Sequence, residues 1–161
     1  MANGRDHGGK RVDNDREPGG FVAIPWVVLD SQAYLGLSHP ARALLLEIAR
    51  QDVRNSNGRL LLSSKHLAKR GWKSNDTIHR AKSELLDAGL IYETVKGHRP
   101  NKASWYAVTW YKLYPHRGFD VGALEGFRRG AYMDLNLKNT GLKPSGGSTS
   151  TSIAPSAGLR A

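Results

Sequence analysis

Residues 62–91 read LSSKHLAKRGWKSNDTIHRAKSELLDAGLI, and this stretch decides the fold. Ser63 and Ser74 each precede a run able to coil as a helix. A serine hydroxyl at that position satisfies an N–H that the first helical turn leaves without a partner. From Ser74 onward, Ile78, Ala81, Leu85 and Ala88 recur at three- and four-residue spacing, which makes one stripe of a helix apolar. Gly89 follows as a left-handed terminator, so the pattern predicts a helix ending near Ala88. Before it, Ser64 to Arg70 predicts a brief helix burying Leu67 and Ala68. Gly71-Trp72-Lys73 turns the chain between the two.

Working upstream, Leu60-Leu61-Leu62 is a short apolar run between a turn and a cap, which reads as a strand. Asn55-Ser56-Asn57-Gly58 is turn chemistry. Ser38-His39-Pro40 opens the clearest helix, since Pro40 falls in the first turn, where its missing N–H costs nothing. Ala41, Leu44, Leu45, Ile48 and Ala49 form its buried stripe. Pro25 suits the start of a short helix running through Tyr34. Downstream, Leu90 to Lys96 and Ala103 to Tyr111 read as two strands joined by the polar turn 97–102. In the second strand, alternation places Tyr106, Val108 and Trp110 on one side and Trp105 and Tyr111 on the other. These aromatics could be a stacking platform for single strands. Core packing on a half-buried strand is the better reading.

The order is helix, strand, helix, tight turn, helix, strand, loop, strand. Together with Leu67-Ala68, Ser74-x-x-Thr77 and Leu85-x-x-x-Gly89-Leu90-Ile91 in register, residues 38–111 resemble a winged helix-turn-helix domain. Lys73 stands where that family usually has a small apolar residue, with Trp72 beside it. The resemblance implies an α+β fold: a three-helix core, a small antiparallel sheet and a wing. Ile24-Pro25, Val28-Leu29-Asp30-Ser31, Leu37-Ser38 and Ala41-Arg42-Ala43-Leu44-Leu45 look like the start of phage and plasmid replication-initiation domains.

That family places the second helix of its motif in the major groove of DNA, whose width admits a helix. The exposed face of the helix after Ser74 then supplies the expected base readers: Asn75, Asp76, His79, Arg80 and Ser83. Arg80 leads them, because a guanidinium matches guanine O6 and N7 with two hydrogen bonds. Asp76 either stabilises the helix start or accepts from a cytosine amine. Ser63, Lys65, Lys69, Arg70, Lys73, Ser74 and Thr77 are the expected phosphate contacts. Lys96, His98, Arg99 and Lys102 form the basic tip of the wing, with Arg99 suited to a narrow minor groove. The structural alternatives are solvated surface charge for Arg80, helix-end stabilisation for Asp76, and capping for the serines.

Charge supports a polyanion partner. The chain has 161 residues, 24 Lys+Arg and 14 Asp+Glu, a net charge of +10. Residues 1–20 carry four basic and four acidic side chains, whereas residues 21–117 carry fifteen and seven. The excess therefore sits on the part expected to fold. Residues 1–20 and 139–161, the second containing Pro144-Ser145-Gly146-Gly147-Ser148, have too few apolar groups to pack and read as disordered. The expected layout is an arm at 1–20, the winged helix-turn-helix domain at 21–113, an extension at 114–138 with enough apolar side chains for an appended helix, and a tail at 139–161.

Absence of cysteine excludes disulfides, thiol catalysis and cysteine–zinc sites. The six histidines, His7, His39, His66, His79, His98 and His116, are too scattered for a local metal or general-base motif. Neither a catalytic constellation nor a phosphate-cradling loop is present, so no enzyme, cofactor, metal or small-molecule substrate is expected. No apolar run approaches the ~20 residues needed to cross a bilayer, and the N-terminus lacks the apolar core of a secretory signal. A cytoplasmic protein is expected. The functional expectation is binding of double-stranded DNA, as a homodimer on a palindromic site, by a transcriptional regulator of a phage or other mobile element. The alternatives are a replication-initiation or maintenance factor and a winged-helix protein-interaction module.

Overall fold

The computed structural model describes residues 19–135 apart from 52, 99 and 101. The tail at 139–161, Arg99, and all of the arm at 1–20 except Gly19 and Gly20 lie outside the described residues. Those described form a mixed α+β protein with seven helices and a three-stranded antiparallel sheet. The helices are α1 (Trp26–Leu29), α2 (Gln32–Leu35), α3 (His39–Ala49), α4 (Val53–Ser56), α5 (Ser64–Ala68), α6 (Asn75–Asp87) and α7 (Ala123–Gly126). The strands are β1 (Leu60–Leu61), β2 (Ile91–Val95) and β3 (Trp105–Val108), in the order β1-β3-β2.

Local chemistry explains the helix boundaries. The hydroxyls of Ser38, Ser63 and Ser74 accept the N–H groups of Ala41, His66 and Thr77. The helix expected to run through Tyr34 is instead two helices, because Ser31 interrupts it. Its hydroxyl donates to the Val28 carbonyl at 2.6 Å and accepts the Tyr34 N–H at 3.2 Å, ending α1 and capping α2. α5 stops at Ala68 rather than Arg70. Beyond it, Gly71 donates to the Ala68 carbonyl and Trp72 to the Leu67 carbonyl, with Gly71 at φ +90°. That pattern is a Schellman motif, and its usual apolar partner is Trp72, packed half-buried against the core. α6 ends in the same way: Gly89, at φ +68°, donates to Leu86, and Leu90 donates to Leu85. A Cβ at Gly89 would also lie 3.0 Å from the backbone of Ala131, so glycine is required there twice over.

α3 and α6 pack on each other and on one face of the sheet. Leu44, Leu45, Ile48, Leu67, Ile78, Leu85, Leu90, Ile91, Tyr106 and Val108 are essentially inaccessible. Trp110 joins them and Tyr111 packs half-buried against them, so Tyr106 and Trp110 are core, whereas Trp105 is half-buried on the other side of the strand. The sheet pairs Leu60 with Tyr106, Ile91 with Val108, Tyr92 with Ala107 and Glu93 with Tyr106. A bulge leaves Thr94 without a cross-strand partner; its hydroxyl donates to the Gly58 carbonyl at 2.5 Å.

The outer face of the sheet is covered by the segment after β3. Trp105 meets the His116 ring edge-on at 5.4 Å, and Tyr92 meets Phe127 at 5.6 Å. Asp120 donates its N–H to the Thr94 carbonyl, and Gly130 donates to Thr109. The extension contributes one helical turn, α7, and buries Ala123 and Tyr132. β3 ends at Val108, short of the expected Tyr111, where the chain enters a turn at Thr109 and Trp110. There the Thr109 N–H donates to the Leu90 carbonyl and its hydroxyl to the Gly89 carbonyl.

Candidate nucleic-acid interface

α6 has two unlike sides. Ile78, Ala81 and Leu85 are buried, whereas Asn75, Asp76, His79, Arg80 and Ser83 are all exposed. The helical repeat gathers the last four of these onto one face. All five expected base readers are thus on the surface of one helix, four of them in its N-terminal half and Ser83 just beyond the middle. Asp76 pairs with Arg80 one turn on, Oδ2 to Nη2 at 2.6 Å. Ser83 lies 3.5 Å from the Asp87 carboxylate.

Among the expected phosphate contacts, Lys65, Lys69, Lys73 and Ser74 are exposed, and Ser63 and Thr77 are half-buried. The hydroxyls of Ser63 and Ser74 are engaged as caps, at 3.3 and 3.2 Å from the N–H groups they accept. Arg70 is not an unengaged surface charge: its Nε donates to Glu47 Oε2 at 2.9 Å, tying the end of α5 to α3. Glu47, Arg70, Trp72, Lys73, Ser74 and Thr77 border a shallow depression of about 420 Å³ between α3 and the start of α6.

The hairpin tip is built from a bridge in which the backbones of His98 and Lys102 exchange hydrogen bonds at 2.9 and 3.0 Å. Gly97 donates to the Ser104 hydroxyl, and Lys96 is exposed. Asp120 braces this hairpin from the C-terminal extension. Its Oδ2 accepts the Lys96 N–H at 2.6 Å, and its Oδ1 faces Lys102 Nζ at 3.4 Å. The Lys96 N–H above all, and then Lys102, hold the Asp120 carboxyl below the usual carboxylate range. Sequence reasoning missed Asp120, because its partner is twenty-four residues away and no local pattern announces it.

Among the described residues, no three His, Asp or Glu side chains are grouped to hold a metal ion. None of the described helices is long and apolar enough to cross a membrane. Comparison of the chain with protein-family models, curated proteins and solved structures gives no match.

Proposed function

We propose that the chain is a winged helix-turn-helix protein that binds double-stranded DNA, with α5 and α6 as the motif, α6 in the major groove and residues 96–102 as the wing. The observation that carries this reading is the exposed face of α6. Four polar side chains able to meet base edges, Asp76, His79, Arg80 and Ser83, crowd one solvent-facing side of a helix whose other side is core. Lys65, Lys69 and Lys73 lie on the helix and turn just before it, where phosphate contacts would fix its register. The element order around it, α3-α4-β1-α5-α6-β2-β3, is compatible with the resemblance seen in the sequence, with the single turn α4 added before β1.

The role that fits is transcriptional regulation in a phage or other mobile element, on a palindromic site bound by a homodimer. The opening segment 24–45 supports replication initiation as a second reading, and genomic mapping separates the two. Peaks over promoters favour regulation, whereas a single peak at an origin favours initiation. DNA binding itself is tested by electrophoretic mobility of duplex DNA across a salt series. About six phosphate contacts should weaken binding ~1000-fold between 50 and 200 mM salt. No shift at 50 mM salt would overturn the reading and favour a protein-interaction role.

A further inference from the structure

We propose that Asp76 and Arg80 act as one composite reader, in which Asp76 aims the Arg80 guanidinium at guanine and penalises DNA that lacks the matching base pairs. This rests on the DNA-binding reading above and extends it to the kind of site selected.

The two side chains meet at 2.6 Å while 73% and 77% exposed, on the side of α6 opposite Ile78, Ala81 and Leu85. An ion pair so exposed adds little to the stability of a helix. Its consequence for recognition is larger. Arginine carries five N–H donors in a planar fork, and a carboxylate that engages one edge restricts where the rest can point. The fork held this way meets guanine O6 and N7 with its remaining donors. The two side-chain tips converge to 2.6 Å, less than one base-pair step of about 3.4 Å. Asp76 therefore lies within reach of the pair next to that guanine, where Oδ1 can accept an exocyclic amine of cytosine or adenine.

The same carboxylate is unfavourable on any other sequence. A negative charge brought against phosphates costs affinity, and here only a base amine offsets it. It also withholds Arg80 from phosphate. Asp76 is then a specificity residue that lowers affinity for random DNA. A helix-stabilising acid would raise affinity for every sequence alike.

The test uses the full chain and its Asp76→Asn and Arg80→Lys variants. A duplex is first selected from a randomised pool by the unaltered protein. Each guanine in that duplex is then replaced by 7-deazaguanine, which lacks the N7 acceptor. One such replacement should weaken the unaltered protein about tenfold and weaken Arg80→Lys, which keeps the charge but loses the planar fork, distinctly less. Asp76→Asn should bind random duplex several-fold more tightly, with a salt slope steeper by up to about 0.9 as Arg80 turns to phosphate. Its preference for the selected duplex should shrink. Indifference to every 7-deazaguanine, or equal weakening of Asp76→Asn on selected and random DNA, overturns the composite reader and leaves DNA binding standing. Failure of the unaltered protein to bind any duplex overturns both.

Discussion

Glu84 grips Ser38 twice: one carboxylate oxygen accepts the Ser38 N–H at 2.5 Å and the other accepts its hydroxyl at 2.6 Å. Ser38 also caps α3 by accepting the Ala41 N–H, so a single serine is both the start of α3 and its tie to the last turn of α6. Hydrogen bonds to an ionised acceptor are stronger than neutral ones, but this pair is partly exposed. Glu84→Ala should therefore cost about 1–2 kcal/mol. Ser38→Ala should cost a similar amount through the lost cap. Because both remove the bond between the Ser38 hydroxyl and Glu84, the double variant should lose less than the sum of the two single losses. Urea unfolding of the four proteins checks this; strict additivity would mean that bond contributes nothing.

Two primary amides continue the sheet where backbone stops. Asn57 Nδ2 donates to the Val108 and Lys112 carbonyls at 3.0 and 2.9 Å, and its Oδ1 accepts the Val108 N–H at 2.8 Å. Gln51 does the same at the β1 edge, donating to Leu61 O and accepting Leu61 N–H at 2.9 and 2.8 Å. Asn57 is 1% exposed, so Asn57→Ala strands buried backbone groups and should destabilise by roughly 2–3 kcal/mol. Gln51 is only half-buried and water can replace it, so Gln51→Ala should cost about 1 kcal/mol or less. Thermal unfolding should rank them in that order. A Gln51 variant the less stable of the two would contradict it.

What could be read in the sequence follows the range of the interactions. The caps at Ser38, Ser63 and Ser74 were legible because each hydroxyl meets an N–H three residues on. Gly89 was legible because a left-handed helix end is a local property, and the buried stripes of α3 and α6 because 3.6-residue periodicity is. The break at Ser31 was not, since a serine inside an apolar run looks the same whether it caps a helix or faces solvent. The turn at Gly71-Trp72-Lys73 was legible, with Trp72 beside the place of the usual small apolar residue, but not that its backbone closes α5. Asn57 was read as turn chemistry, and its bonds to Val108 span fifty-one residues. The exposed polar face of α6 was legible in position, as the complement of the apolar stripe. The Arg70–Glu47 and Asp120–Lys102 pairs were not, because the partners come from distant segments.

Tyr106 makes stability sensitive to alkali. Burial, more than any other influence, pushes its hydroxyl up to about 12, and the neighbouring Glu93, which accepts its hydrogen bond at 3.1 Å, adds to the effect. The folded value lies above the unfolded one, so this contribution is complete below pH ~10 and is lost as pH rises toward the folded value. The urea midpoint should fall between pH ~10 and 12 more steeply in the unaltered protein than in Tyr106→Phe. Ultraviolet titration should show both Tyr106 and the buried Tyr132 ionising late in the folded protein, and one fewer late tyrosinate in the variant. Parallel midpoint curves would remove Tyr106 as the cause.

Asp120 makes the hairpin sensitive to acid, with the opposite sign. Its carboxyl is held low chiefly by the Lys96 N–H and secondarily by Lys102. A depressed folded value means that the clamp is intact above the ordinary carboxylate range and is released only as pH falls through the folded value. The Lys96 amide proton reports the clamp directly, because it donates to Oδ2. Its chemical shift should hold steady from neutral pH to about pH 4 and move only in stronger acid. In Asp120→Asn the titration should vanish, while the His98–Lys102 bridge, made by backbone alone, should still protect the Lys102 amide from exchange. If that amide exchanges freely in Asp120→Asn, the clamp forms the hairpin tip rather than merely orienting it. A Lys96 shift titrating at an ordinary carboxylate value would show that neither Lys96 nor Lys102 grips Asp120 in solution.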